Sequence, residues 1–215
     1  MIRLDMPQGS LAWMEARLGI PTASNFDKLI TPGGKPSSSA EKYAWKCVAE
    51  QILNHPIQEK EEASGFMERG TIMQKNARAF YELQRDVETE EVGFMLRDNR
   101  RAGCSPDLLV KGGGLVEIKC PSAPIHIGYL LDSEGIGYRV QVQGQLWVSE
   151  EDWCDTLSFH PEMPSALVRQ GRDEPFIKLI EAAVNRFNEQ IDGMKAKLLA
   201  DGYFPHLQQP NLKIA

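Results

Sequence analysis

Within Leu115-Val116-Glu117-Ile118-Lys119 a carboxylate and an ammonium stand two positions apart. In a strand, side chains alternate between faces, so Leu115, Glu117 and Lys119 share one face and Val116 and Ile118 the other. Upstream lies Ser105-Pro106-Asp107, and between the two comes the turn sequence Gly112-Gly113-Gly114. A three-residue turn there sets Lys111 opposite Leu115, Leu109 opposite Glu117 and Asp107 opposite Lys119. Asp107 is then diagonal to Glu117 on the same face, at roughly 7–8 Å backbone spacing, close enough for a shared ion. Two carboxylates this near repel unless a cation or proton lies between them, and hard oxygen ligands suit magnesium. The Ile118 carbonyl could add an oxygen. Lys119 could orient a water and help hold it as hydroxide while the metal stabilises charge on a phosphate. That chemistry is phosphodiester hydrolysis. The plainer alternative is an exposed Glu117–Lys119 ion pair on a half-exposed strand, with Asp107 ending a turn after Pro106.

The elements that must position these residues are legible in the periodicity. Helices are expected over Leu11 to Leu18, from Thr22-Ala23-Ser24 to before Thr31, over Glu41 to Asn54 and over Phe66 to Gln84, with a charged linker from Pro56 to Ser64. Thr22 or Ser24 would cap the second helix. On the fourth, Phe66, Met73, Ala77 and Phe80 fall on one face. The period then changes, and Val87 to Leu96, Arg101 to Cys104, Asp107 to Val110 and Leu115 to Lys119 read as strands. Tyr138 to Val148 fits helix or strand and is taken as helix; strands follow near Thr156 to Phe159 and Ala166 to Arg169. Asp173 and Pro175 open a last helix with an apolar stripe of Phe176, Ile180, Ala183, Val184, Phe187, Ile191, Met194 and Leu198. The expected fold class is α/β, a central mixed sheet flanked by helices, in one domain over residues 1–215.

Composition narrows the function classes. With 42% hydrophobic and 25% charged residues the chain reads as a globular domain, without an apolar run long enough for a membrane or a signal-peptide layout, so a cytoplasmic location is expected. Cys47, Cys104, Cys120 and Cys154 form no CxxC pair and read as small buried hydrophobes. His55, His126, His160 and His206 lack metal-ligand spacing. Gly34-Lys35 is not a phosphate loop, because positions 29 and 36 are Leu and Pro. The net charge of -6 argues mildly against DNA, whose binding depends on Lys and Arg, but basic residues gathered on one face would reconcile the two.

Ser105-Pro106-Asp107 with Glu117-Ile118-Lys119 resembles the PD-(D/E)xK, or restriction-endonuclease-like, nuclease core. The likeness extends to Trp13 through Ser24, Arg69-Gly70 with Ala77 to Glu82, Ala102 to Asp107, Gly114 to Pro121, and Tyr138 to Gln143. With these five ordered blocks the chain resembles the phage-type alkaline exonucleases, the lambda-exonuclease or YqaJ-like viral recombinase family. The resemblance implies a bacterial or phage-encoded enzyme that enters double-stranded DNA at an end, degrades the 5′-terminated strand and leaves a 3′ single-stranded tail for recombination. It implies two magnesium ions, replaceable by manganese, a ring-shaped homotrimer around DNA, and a single-strand annealing protein as partner.

Residue by residue, the resemblance makes Asp107, Glu117 and the Ile118 carbonyl metal ligands, Lys119 the catalytic base or water-orienting group, and Gln141 a neighbour of the attacking water or scissile phosphate. Arg17, Ser24 and Ser105 match the pocket for a terminal 5′-phosphate. Arg17 would bring a planar fork of donors, and Ser24 a hydroxyl and exposed amides at a helix start. The chain departs from the pattern at Gln74, where the family carries a ligating carboxylate. An amide oxygen can still coordinate magnesium but brings no charge, so one of two metals would be held more weakly. Glu68 lies on a different helical face. Met67, with Phe66 beside it, matches a strand-separating wedge or is simply core. An endonuclease with the same core and a non-catalytic DNA-end-binding subunit are the alternative functions.

Overall fold

The computed structural model describes residues 1–57, 64–132 and 138–204, the side chains of 64–72 excepted. Most of the expected charged linker, His206 and the side chains of Phe66, Met67 and Glu68 lie outside the described residues. The chain runs β1 (Ile2–Leu4), α1 (Leu11–Ala16), a 3-10 helix (Ala23–Lys28), α2 (Ala40–Leu53), α3 (Ser64–Arg85), then β2 (Thr89–Glu91), β3 (Phe94–Leu96) and β4 (Gly103–Cys104). It continues through β5 (Leu108–Val110), β6 (Leu115–Lys119), α4 (Ala123–Leu131), α5 (Arg139–Ser149), β7 (Trp153–Ser158), β8 (Ala166–Gly171) and α6 (Glu174–Ala200).

Helix starts and stops follow local chemistry. Ser10 caps α1 by accepting from the Trp13 amide, and Asp173 caps α6 by accepting from Phe176. α2 ends at Asn54 in the left-handed region (φ 53°), which asparagine tolerates. The expected cap on the second helix is not made: Thr22 forms no side-chain cap bond, and the segment is a six-residue 3-10 helix with Ser24 inside it. Its tighter winding commits the Asn25 amide to the Thr22 carbonyl at 2.8 Å, so it does not offer the row of free amides an α-helix start would.

Two sheets form. β1, β3 and β4 make a small antiparallel sheet; β2-β5-β6-β7-β8, in that order, make the larger one, in which only β6 and β7 run parallel. The single strand expected over Val87 to Leu96 is therefore two, one in each sheet. They part at Val92-Gly93, where the chain passes so close to the end of β1 that a Cβ on Gly93 would stand 2.5 Å from the carbonyl oxygens of Leu4 and Met6.

A parallel pair needs a crossover, and α4 and α5 supply it. This lays α5 on one face of the large sheet, where Val142 and Leu146 meet Leu115 and Cys154. α3 covers the other face, where Ala77 and Tyr81 meet Val116, Ile118 and Leu157. There the Asp155 carboxylate, fully buried, accepts from Tyr81 at 2.8 Å and from Arg169 at 2.7 and 2.8 Å, which satisfies its charge and ties α3 to β7 and β8. The main core joins the 3-10 helix, α2, α5 and α6; the expected α6 stripe forms it, with Tyr43 stacked on Phe187. Cys47, Cys104 and Cys154 are buried free thiols as expected, and Cys120 is half-buried. Among the described residues no helix is long and apolar enough to cross a membrane.

Candidate active site

The β5–β6 hairpin corrects the expected register. Leu108 pairs with Val116 and Leu109 with Leu115, so Asp107 comes opposite Glu117 rather than diagonal to it. The reason lies in the turn. Val110 donates to the Gly114 carbonyl at 2.9 Å and Gly113 donates back to Val110 at 3.0 Å, making the loop Lys111-Gly112-Gly113. Gly114 is held in place instead: its amide donates to Glu151 Oε2 at 2.7 Å, and a Cβ on it would stand 2.1 Å from the Trp153 ring. At a φ of +97° with an indole against it, this position requires glycine. All three glycines look alike as turn formers, yet one serves close packing.

Strand alternation aims Glu117 at α5, where it is almost completely buried (5% exposed). A buried carboxylate needs donors, and Glu117 has three. Oε1 accepts from Lys119 Nζ at 2.6 Å and from Gln141 Nε2 at 2.6 Å; Oε2 accepts from Gln145 Nε2 at 2.6 Å. Lys119 also donates to Gln141 Oε1 at 3.3 Å and lies 4.4 Å from the centroid of the Tyr138 ring. The plain exposed ion pair is excluded by this burial.

Asp107 Oδ2 accepts from the Ile118 amide at 2.6 Å, and Gln74 Nε2 stands 3.4 Å from Oδ1. Burial, and then the charge of Glu117, push the Asp107 carboxyl up to about 8, against the opposing pull of the Ile118 amide and Lys119. The structure thus brings Asp107, Glu117, Ile118, Lys119, Gln141 and Gln74 into one site. In front of Asp107 opens a cleft of about 430 Å³, lined among others by Gln8, Gln74, Lys75, Arg78 and Ile118. Among the described residues no three His, Cys, Asp or Glu side chains gather as a metal cluster. Two carboxylates and an amide are an oxygen donor set that fits one hard cation short of a full shell, with water and phosphate oxygens left to complete it.

Arg17, Ser24 and Ser105 form a neighbouring cluster through Trp13 and Thr22, which sequence reasoning did not place in the site. Trp13 Nε1 donates to Ser105 Oγ at 2.9 Å and to the Gly93 carbonyl at 3.2 Å, while its ring lies 3.8 Å from the Arg17 guanidinium. Arg17 reaches Thr22 Oγ1 at 3.5 Å, and Thr22 Oγ1 lies 3.2 Å from Ser24 Oγ. No carboxylate among the described residues forms an ion pair with Arg17, and burial lowers its pKa. Burial outweighs the more distant charge of Glu50, and a half-buried guanidinium with no described carboxylate in contact can receive an anion.

Gln145 was also missed. Its signal was its spacing: four residues after Gln141, it lies one turn on along the same helix face. His126 is buried and held between Ser158 Oγ at 2.7 Å and the Pro164 carbonyl at 2.9 Å, a structural role.

The chain is similar to LHK-Exo, an alkaline exonuclease from Laribacter hongkongensis. Against its crystal structure in complex with dAMP the identity is 28% and the TM-score 0.81, covering 90% of this chain and 98% of that one. Against a second crystal structure of LHK-Exo they are 29% and 0.78, with the same coverage. A phage-related exonuclease from Haemophilus somnus 129PT, at 15% identity and TM-score 0.66 over 83% of this chain and 96% of that one, shares the fold. No curated protein sequence matches the chain. The mixed sheet flanked by helices is the PD-(D/E)xK core that the motif implied. Residues 12–152, more than half of the chain and the stretch that holds Arg17, Gln74, Asp107, Glu117, Lys119 and Gln141, match the YqaJ-like viral recombinase domain, and the protein belongs to that family of nucleases.

Proposed function

We propose that this nuclease is a magnesium-dependent exonuclease that removes nucleotides from the 5′ ends of double-stranded DNA and leaves 3′ single-stranded tails. One observation carries the reading: Ser105 belongs to the Arg17 cluster and Asp107, two residues on, to the carboxylate site, so an anion pocket and a hydrolytic centre are joined by one short piece of chain. A strand whose terminal phosphate rests near Arg17 would present an internal phosphodiester to Asp107 and Glu117. LHK-Exo, described as an alkaline exonuclease and crystallised with a mononucleotide, supports the same class of reaction.

Asp107, Glu117, the Ile118 carbonyl and Gln74 are the groups that would hold magnesium, and manganese in its place. When bound, the ion supplies Lewis-acid stabilisation of charge on the phosphate and the leaving oxygen. Lys119, its ammonium clasped by Glu117 and Gln141, orients the attacking water. Water oxygen bonds to phosphorus, the bond to the 3′ oxygen breaks, that oxygen takes up a proton of the water and leaves as the 3′ hydroxyl of the released nucleotide, and the new end carries a 5′-phosphate for the Arg17 cluster to receive. The same reading takes in a ring-shaped homotrimer threaded by DNA, which would gather basic residues inside despite the net charge of -6, and a single-strand annealing protein as partner.

The test compares linear and covalently closed circular duplex with each strand end labelled. Mononucleotides from the 5′ ends of linear DNA and intact circles are expected. Strong cutting of circles would replace this reading with an endonuclease, and end binding without nucleotide release would replace it with a non-catalytic end-binding subunit.

Gln74 gives a second prediction. Its amide nitrogen stands 3.4 Å from Asp107, so Gln74→Glu would place a third carboxylate beside the pair. The magnesium concentration for half-maximal activity should fall by a factor of about three to ten, the scale of one added ligand charge. A magnesium titration unchanged by this substitution would remove Gln74 from the ligand set.

A further inference from the structure

The layer between β6 and α5 is built from Leu115, Val142, Leu146 and Cys154, and it contains one amide, Gln145, at 1% exposure. A buried amide in an apolar layer is costly unless its polar atoms are used, and leucine would fill the place without that cost. Gln145 Nε2 donates to Glu117 Oε2 at 2.6 Å; among the described residues its Oε1 has only the Cys154 thiol, at 4.0 Å. One turn earlier Gln141, partly exposed, takes Oε1 together with Lys119. The two carboxylate oxygens are thus held separately, one by the partly exposed Lys119 and Gln141 and one from inside the protein. Gln145 is too deeply buried to touch a substrate, so whatever it does, it does through Glu117.

We propose that Gln145 is a positioning residue that locks the Glu117 carboxylate in the orientation that binds a divalent cation, and so sets the cation affinity of the site. The inference rests on the reading of Glu117 as a metal ligand. Without the Gln145 bond, Oε2 faces an apolar layer and the carboxylate turns toward other donors.

The test is manganese binding to the DNA-free protein, read by electron paramagnetic resonance of the free ion. Gln145→Met, of similar length and without polar atoms, should bind Mn2+ roughly tenfold more weakly, the scale of one hydrogen bond to a charged group. Gln145→Asn, which keeps an amide but withdraws it from Oε2, should bind more weakly too and serves if the methionine variant does not fold. In a Glu117→Ala background the Gln145 substitution should bring no further loss. Wild-type Mn2+ affinity in the folded Gln145 variants, with affinity lost in Glu117→Ala, overturns this proposal alone. So does a further loss of the same size in the Glu117→Ala background, which would make Gln145 structural. Wild-type affinity in Glu117→Ala overturns the metal-ligand reading itself.

Discussion

Asp107→Asn is expected to release mononucleotides at least about a thousandfold more slowly than the wild-type protein, the scale of losing a principal charge-stabilising group. In a chelator at pH 8 it should nevertheless melt at or above the wild-type temperature. Both follow from one geometry. Asp107 lies opposite Glu117, and burial followed by that neighbouring charge lifts its carboxyl to about 8. In the unfolded chain the same carboxyl titrates near 3.9. The folded state therefore holds a proton that the unfolded state gives up, and stability falls as pH rises from the lower value through the upper one. Asparagine removes that penalty, and its carbonyl can still accept from the Ile118 amide. Lys119→Met should lose activity on a similar scale but melt lower, because it takes a donor from the buried Glu117. Mononucleotide release and thermal melting of the two variants settle the matter; wild-type release by a folded Asp107→Asn protein would sink the assignment.

Arg17→Gln is expected to erase the preference for 5′-phosphate over 5′-hydroxyl ends, lowering the rate on phosphorylated duplex roughly 10- to 100-fold and leaving the hydroxyl substrate nearly unchanged. The guanidinium lies over the Trp13 ring, which fixes its plane, and the indole N–H in turn holds Ser105. Lysine could restore the charge but neither the stack nor the fork of donors, so Arg17→Lys should recover only part of the preference. Rates on the two end types, measured side by side, decide it. An equal loss on both, with a lowered melting temperature, would show that Arg17 supports the fold instead.

Periodicity was a sound guide wherever one element has one job. The stripe of α6 stands where apolar spacing puts it, because a helix buried along one side leaves its period in the sequence, whereas α5, buried on nearly every side, left its spacing open between helix and strand. Legibility failed where contacts between distant segments decide. Nothing local says that Gly114 is held against Trp153 and Glu151, yet that contact moves the turn and shifts Asp107 by two positions relative to Glu117. Nor does Val87 to Leu96 disclose that its two halves join different sheets. Within the site, the residues of the motif were identifiable by type and spacing. Trp13, Thr22 and Gln145 were not, because their part is to hold other side chains and they bear no charge that draws the eye.

The crossover between β6 and β7 also bears on how the protein comes into being. Glu117 is satisfied by amides 24 and 28 residues further along, and β6 gains its parallel neighbour only when β7 has been made. A nascent chain that has just left the ribosome at Lys119 already carries Asp107, Glu117 and the Arg17 cluster, but as wet, mutually repelling carboxylates rather than a formed centre. The centre thus forms late in synthesis, and a truncated product ending before α5 would carry the whole motif without the amides that hold Glu117.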